Sequence, residues 1–551
     1  MTTDATRPDP VLSIRDLSVS FTTSHGEVEA VRHVDLDVAA GETVAIVGES
    51  GSGKSTVVAC VNRLLADNGR ITGGVVRLGE LDLTAASERT MTSLRGSRIG
   101  LVPQDPMTNL DPVMTVGDQI VEALEVHDRS RGRAAHDEAV RLLEAAGIDD
   151  AEPRFHQYPH EFSGGMRQRV LIAMALACRP EVLLADEPTS ALDVTVQRLV
   201  LDQMAELAAD VGAAVLLVTH DLALAAERAD RVVVMYRGEV VETGPAEQVV
   251  RRPQHDYTRR LLAAAPGFAD PKILATPRAL AEGADGGTPA APLLEVRRAV
   301  KRYALRGRPE GFRAVDEVDL VVGPGETVAI VGESGSGKST TARLALRLET
   351  PDGGSVHFRG QDVTALRGRD VLAFRRAVQP VFQNPYASLD PRYTIGQVVA
   401  EPLRVHKIGD AASRRQAVAD LLEQVALPAT LADRHPHELS GGQRQRVAIA
   451  RALALRPELV VMDEAVSALD VIVQEQILDL MVSLQRDLGL SFLFISHDLA
   501  VVRLVAHRVY VMREGRVVES GVPEQIFSDP QEGYTKALVA AVPGRRTTSA
   551  P

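Results

Sequence analysis

Residues 41–56 read GETVAIVGESGSGKST, and residues 325–340 repeat the sixteen letter for letter. An identity of that length, 284 positions apart, constrains the chain more than any other feature, because it implies two units built to one plan. Further matches keep nearly the same spacing: Gln104 pairs with Gln383 at 279, and Ser163, Glu187 and His220 pair with Ser440, Glu464 and His497 at 277. The units therefore differ by short loop changes. At 551 residues the chain exceeds what one core fills, so two large domains are expected, over residues 1–266 and 293–551. The stretch from Ala265 to Pro292 is rich in Ala, Pro and Gly with little apolar periodicity, and residues 267–292 read as a linker.

Each copy is a β-branched run, TVAIV, leading into GESGSGKS, which fits the phosphate-binding pattern G-x-x-x-x-G-K-[ST]. Glycines let the backbone turn so that successive amides converge on phosphate oxygens at a helix N-terminus, lysine reaches the outer phosphates, and the serine hydroxyl can coordinate Mg²⁺. Candidate nucleotide-binding residues are Gly48, Gly51, Ser52, Gly53, Lys54, Ser55 and Thr56, and in the second unit Gly332, Gly335, Ser336, Gly337, Lys338, Ser339 and Thr340.

Short runs such as VLLADE and AVLLVTH alternate with longer helical patterns, which predicts βαβ units around a largely parallel, buried sheet and an α/β fold of P-loop NTPase type. From Asp105 to about His160, and from Asn384 to about His437, the pattern turns mostly helical and predicts an inserted lobe in each unit.

Two apolar runs end in an acidic pair, Asp186-Glu187 and Asp463-Glu464. An Asp at a strand end can hold Mg²⁺ through its water shell, and the adjacent Glu can polarise an attacking water. FSGGMRQRV from Phe162 and LSGGQRQRV from Leu439 place Ser163, Gly164 and Gly165, and Ser440, Gly441 and Gly442, at what reads as a helix start, where amides and a hydroxyl can grip phosphate.

An SGG segment some 23 residues before a DE pair that is followed by SALD resembles the signature of ATP-binding cassette (ABC) ATPases. By that resemblance Gln104 and Gln383 are Q-loop glutamines that join Ser55, Asp186, Ser339 and Asp463 around Mg²⁺. His220 and His497 are switch histidines acting with the catalytic Glu187 and Glu464, and Asp193 and Asp470 are D-loop residues. Phe21 and Tyr303 fall near where the family stacks an aromatic on adenine. The resemblance also implies that ATP is clasped by the P-loop of one cassette and the signature of the other. One site then combines Lys54, Glu187 and His220 with Ser440 to Gly442, its mate combines Lys338, Glu464 and His497 with Ser163 to Gly165, and both hydrolyse ATP. Met166 stands where the second unit has Gln443, and Ala465 where the first has Pro188. Both departures fall in the Lys338 site, which is expected to be the slower.

The strongest apolar run, Val170 to Cys178, is far shorter than the roughly 20 residues that cross a bilayer. The first ten residues lack a signal-peptide pattern, so a cytoplasmic location is expected. Cys60 and Cys178 read as isolated buried thiols, too few for a disulfide framework or a four-thiolate site. The net charge of −13 disfavours a phosphate-backbone binder and argues against nucleic acid as partner.

The matched tails, one ending at Pro266 and one at Pro543, narrow the resemblance. His255, Tyr257 and Thr258 resemble the H-P-Y-T segment of ATPases that serve dipeptide, oligopeptide and nickel importers, although Asp256 replaces the proline and Glu532 to Thr535 lacks both His and Pro. The tails are expected to mark the branch rather than to supply chemistry. Residues 267–292 hold no cysteine, so no iron–sulfur cluster is expected there. The importer reading implies two separate membrane permease subunits docked on the helical lobes near the Q-loops, an extracytoplasmic substrate-binding protein, and a peripheral position on the cytoplasmic face of the membrane. A soluble tandem cassette acting on ribosomes or nucleic acid, and an exporter ATPase, remain as alternatives.

Overall fold

The computed structural model describes residues 10–23, 26–189, 192–272, 274, 291–305, 308–383, 388–467 and 469–544. Most of the linker, residues Ser190, Ala191 and Ala468 of the two SALD segments, and Asn384 at the expected start of the second lobe lie outside them. The described residues fall into two compact units, one made chiefly of residues up to Phe268 and the other of Ala269–Val542.

The strands of the first unit are β1 (Pro10–Thr23), β2 (Gly26–Ala39), β3 (Thr43–Val47), β4 (Gly69–Leu78), β5 (Leu81–Asp82), β6 (Ile99–Val102), β7 (Val182–Asp186), β8 (Ala214–Thr219), β9 (Arg231–Tyr236) and β10 (Glu239–Pro245). One sheet has the order β10-β9-β3-β8-β7-β6; its five strands from β9 to β6 run parallel, and only β10 pairs antiparallel. This is the parallel sheet that the β-branched runs predict. The repeat strand β3 lies inside it, and its alternating side chains serve two cores. Val44 and Ile46 join a cluster with Leu12, Ile14 and Val34. Ala45 and Val47 face the other way, into a cluster with Val170, Leu171 and the helical lobe.

A second, antiparallel sheet, β2-β1-β4-β5, covers the Val44 and Ile46 face. The sequence pattern does not reveal it, because register shifts at four places along β1 and β2 interrupt the alternation that would mark long strands.

The second unit repeats both sheets. Its strands are β11 (Leu294–Leu305), β12 (Arg308–Val322), β13 (Thr327–Val331), β14 (Gly353–Phe358), β15 (Gln361–Asp362), β16 (Val378–Val381), β17 (Leu459–Asp463), β18 (Ser491–Ser496), β19 (Arg508–Arg513) and β20 (Arg516–Gly521). They form the orders β12-β11-β14-β15 and β16-β17-β18-β13-β19-β20.

Both predicted lobes are helical. Helices Val116–Val126, Arg133–Ala145 and Ala151–Phe155 build the first, and Ile395–Val405 and Ala411–Gln424 the second. Threonines set their entry: Thr115 accepts from the Asp118 amide at 3.2 Å, and Thr394 forms a reciprocal capping box with Gln397. Among the described residues no helix is long and apolar enough to cross a membrane.

Candidate active sites

In each unit the motif residues collect at the carboxyl ends of neighbouring parallel strands. β3 runs into Gly48 and the P-loop, β6 leads to Gln104, β7 ends in Asp186-Glu187, and β8 is followed by His220. This is the edge at which parallel α/β sheets bind their ligands.

The P-loop is a tight turn set on the N-terminus of helix Lys54–Val61. Gly53 caps it at φ 99°, in the left-handed region, and a Cβ there would stand 2.6 Å from the Ala30 carbonyl. Lys54 is buried, and its Nζ donates to the carbonyls of Gly48 and Glu49, both at 2.8 Å. Burial lowers the Lys54 pKa, opposed by Glu187 and Asp186. Lys338 makes the same two bonds, to Gly332 and Glu333 at 2.8 Å.

The residues fit a phosphate chain. Ser52 Oγ and Ser336 Oγ are buried without a hydrogen-bond partner, and Gly51 and Gly335 face open space. Ser55 Oγ donates to Asp186 at 2.9 Å and Ser339 Oγ to Asp463 at 3.1 Å, so a hydroxyl and a carboxylate lie together as a divalent cation requires. Burial raises the pKa of both aspartates.

Glu187 and Glu464 adopt φ of 45° and 47°, a left-handed backbone uncommon for glutamate. The turn is held by the Glu187 amide donating to Val218 O and the Glu464 amide to Ile495 O, both at 3.0 Å. It presents each carboxylate to two partners. Gln104 Nε2 donates to Glu187 Oε2 at 3.1 Å and His220 Nδ1 lies 3.3 Å from the same oxygen; Gln383 and His497 stand 2.7 and 3.4 Å from Glu464 Oε2. Burial would lower the His220 pKa, but the Glu187 carboxylate outweighs it and the value is raised. Glu187 moves oppositely: burial would raise its pKa, and His220, Lys54 and Gln104 hold it below the ordinary value. The glutamines thus meet Glu187 and Glu464 rather than the Ser–Asp pairs.

Ser163 and Ser440 are N-caps, as the sequence predicts. Their hydroxyls accept from the amides of Met166 and Gln443, each at 3.3 Å. Gln443 Oε1 also accepts from the Ser440 amide at 3.0 Å and closes a capping box, which Met166 lacks the oxygen to do. Tyr303 donates to Glu349 Oε1 at 2.7 Å. Phe21 is partly buried against the core beside Gly69.

Two contacts escape the motif reading. The Glu49 amide donates to the Tyr257 hydroxyl at 2.9 Å, and the Glu333 amide to the Tyr534 hydroxyl at 3.0 Å. The tails, expected to carry no chemistry, reach the phosphate loops. Each tail is anchored by a glutamate: Glu242 accepts from the amides of Gln254 and His255 at 2.8 and 3.0 Å, and Glu519 from those of Gln531 and Glu532 at 2.8 and 3.2 Å. The repeated Tyr-Thr dipeptide marks these positions in the sequence, but the loop contact is not visible there.

Comparison with known proteins matches the family described as ABC transporter at residues 31–190 and 315–467, and the oligopeptide/dipeptide transporter C-terminal region at 241–286. The glutathione import ATP-binding proteins GsiA of Shigella dysenteriae serotype 1 and Escherichia coli K12 are each 46% identical to this chain, covering 97% of it and 89% of their own length. Among solved structures, cbiO1 from Clostridium perfringens, part of the ABC transporter complex cbiONQ, matches at 29% identity and a TM-score of 0.40, over 43% of this chain and 91% of that one. The ATP-binding cassette MJ0796, in a dimeric post-hydrolysis state with ADP and Pi, matches at 29% identity and a TM-score of 0.39, over 43% and 98%.

Proposed function

Because this chain belongs to the ABC transporter ATP-binding family, as a tandem import ATPase of the peptide and glutathione branch, we propose that it powers uptake of glutathione or short peptides through two separate permease subunits. The observation that carries the reading is the convergence, twice in one chain, of P-loop, acidic pair, glutamine and histidine on one sheet edge. We assign domains to residues 1–266 and 293–551, with 267–292 linking them.

ATP hydrolysis falls to Glu187 and Glu464. Each carboxylate, aimed by its histidine and glutamine, orients a water and accepts its proton as the water attacks the γ-phosphate and ADP leaves. Lys54 or Lys338 exchanges two loop carbonyls for phosphate oxygens, and the P-loop amides, with Ser52 and Ser336, bind the remainder. Ser55 and Asp186, and Ser339 and Asp463, would hold Mg²⁺, with Gln104 and Gln383 joining them, and the bound ion would supply positive charge to offset that of the phosphates. Tyr303 and Phe21 lie against adenine.

Each unit carries one P-loop and one signature, and the sequence resemblance supports two composite sites: Lys54, Glu187 and His220 with Ser440–Gly442, and Lys338, Glu464 and His497 with Ser163–Gly165. Closure driven by ATP and release after hydrolysis would then power the permeases. The missing capping box at Met166 leaves Ser163 less firmly set than Ser440, which favours the Lys338 site as the slower.

For docking, the second unit offers a groove of about 610 Å³ lined by Leu346, Leu348, Phe382, Val405 and Arg451, beside the Q-loop. Leu348, Phe382 and Val405 are exposed apolar residues there, and Leu64 and Val126 are exposed at the matching positions of the first unit. A permease's cytoplasmic helix would cover them and hold the chain at the inner face of the membrane, with an extracytoplasmic binding protein delivering solute. Uptake of labelled glutathione and dipeptides by cells with and without this chain tests the reading. Loss of uptake is expected; unchanged uptake together with RNA-stimulated ATPase activity, or with impaired efflux, would overturn it.

A further inference from the structure

The peptide that opens each P-loop is held at both ends. In the first unit the Gly48 carbonyl accepts from Lys54 Nζ at 2.8 Å, and the amide on the other side of the same peptide plane, that of Glu49, donates to Tyr257 Oη at 2.9 Å. In the second, the Gly332 carbonyl accepts from Lys338 Nζ at 2.8 Å and the Glu333 amide donates to Tyr534 Oη at 3.0 Å. One bond comes from the residue that serves phosphate, and the other from a tail more than 200 residues further along the chain.

The two rings are steadied by different means. Tyr257 is buried and stacks on Tyr236 at 4.2 Å between centroids, with the Arg237 guanidinium 5.0 Å from the Tyr236 ring. Tyr534 has the Arg513 guanidinium 5.1 Å from its own ring. A hydroxyl delivered to the same amide by two different ring settings points to the hydroxyl as what both arrangements maintain.

We propose that Tyr257 and Tyr534 are positioning residues for nucleotide, each fixing the first peptide of its P-loop so that the tail sets the phosphate affinity of its own unit. With that amide held, the peptide plane cannot rotate when the lysine leaves its carbonyl for phosphate, and the loop stays in its binding shape. Without the hydroxyl, binding must also order the loop. The inference rests on the P-loops being the phosphate sites.

The test uses the full chain and MgADP, which probes the cradles without hydrolysis. Calorimetric titration of the Tyr257→Phe/Tyr534→Phe variant is expected to show a Kd raised about three- to tenfold, the loss of one net hydrogen bond per site, with stoichiometry unchanged. In ATPase assays KM should rise by the same factor while kcat stays. A Kd raised less than threefold, or fewer sites at unchanged Kd, overturns the inference, the second result marking a purely structural role. Lys54→Ala/Lys338→Ala separates the two levels. If the lysine variant binds MgADP like the parent, the P-loop assignment fails; if it loses binding while the tyrosine variant does not, only the tail inference fails. Should the tyrosine variant not fold, Glu242→Gln/Glu519→Gln loosens the tail anchors instead, with the same rise in Kd expected and an unchanged Kd contradicting it.

Discussion

Within the first P-loop, Gly48 is the glycine at which the fold and the site press hardest on each other. Its Cα sits between the P-loop and β9, and a Cβ placed there would lie 2.2 Å from the Met235 carbonyl oxygen and 2.8 Å from Ser52 Oγ. Cβ atoms essentially never come closer than 3.0 Å, so Gly48→Ala must move the loop away from β9 by roughly 0.8 Å, since the obstacle is sheet backbone that cannot rotate aside. That shift displaces Lys54 and the amides behind it together. Misplacements near 1 Å cost on the order of a hundredfold in rate where geometry carries catalysis, and overpacking costs about 1–3 kcal/mol of stability. Gly51→Ala is the internal comparison: its φ is 78°, but a Cβ meets nothing within 4 Å, so it carries only the left-handed backbone cost of about 1 kcal/mol. Steady-state ATPase assays with MgADP titration on both variants, each in a chain carrying Lys338→Ala, decide the matter. Gly48→Ala should lose at least tenfold more activity than Gly51→Ala while the chain stays folded. Equal losses, or Gly48→Ala within twofold of its parent, would show that the close approach to Met235 does not control the site.

Other outcomes follow from the same geometry. Glu187→Gln should reduce ATPase activity more than Glu464→Gln, since it leaves only the Lys338 site, proposed above as the slower; a larger residual rate with only that site intact contradicts the asymmetry. The raised His220 pKa contributes stability that is complete below its unfolded value, about 6.5, and is lost as pH rises through the raised folded value. The lowered Glu187 pKa contributes stability present above about 4.3 and lost as pH falls through the depressed value. Melting curves of nucleotide-free His220→Asn should therefore decline less than those of the parent as pH rises above about 6.5, and parallel curves would show that the pair does not couple to folding. Val405→Asp, which puts a charge on an exposed apolar groove residue, should keep basal ATPase activity and lose co-purification with permease subunits; retained co-purification would place the docking surface elsewhere.

Much of each site is legible in sequence because local chemistry writes it. A β-branched run into a glycine turn fixes strand, loop and helix within sixteen residues, and Asp186, Glu187 and His220 follow buried strands whose parallel order brings their ends together. The N-caps at Ser163 and Ser440 are equally local. What escapes is either a backbone state or a distant contact. Nothing in the letters DE shows that Glu187 and Glu464 turn left-handed, since that follows from the amide bonds to β8 and β18. The Tyr257 and Tyr534 contacts span 208 and 201 residues and exist only because the tail helices lie beside the loops. The antiparallel sheet was hidden by bulges that break the alternation of β1 and β2. Gln104 and Gln383 have their amides on Glu187 and Glu464, a contact that residue type alone does not show.

Whether each nucleotide is completed by residues from both units, as proposed, is read by counting ATP retained per chain after gel filtration of the Glu187→Gln/Glu464→Gln protein with Mg²⁺. Two retained ATP are expected, and Ser163→Arg should remove one. Adding Lys338→Ala to Ser163→Arg should remove no more, whereas adding Lys54→Ala should abolish retention. The reverse pattern, in which Ser163→Arg with Lys54→Ala still keeps one ATP and Ser163→Arg with Lys338→Ala keeps none, would show each nucleotide held within a single unit and contradict the account.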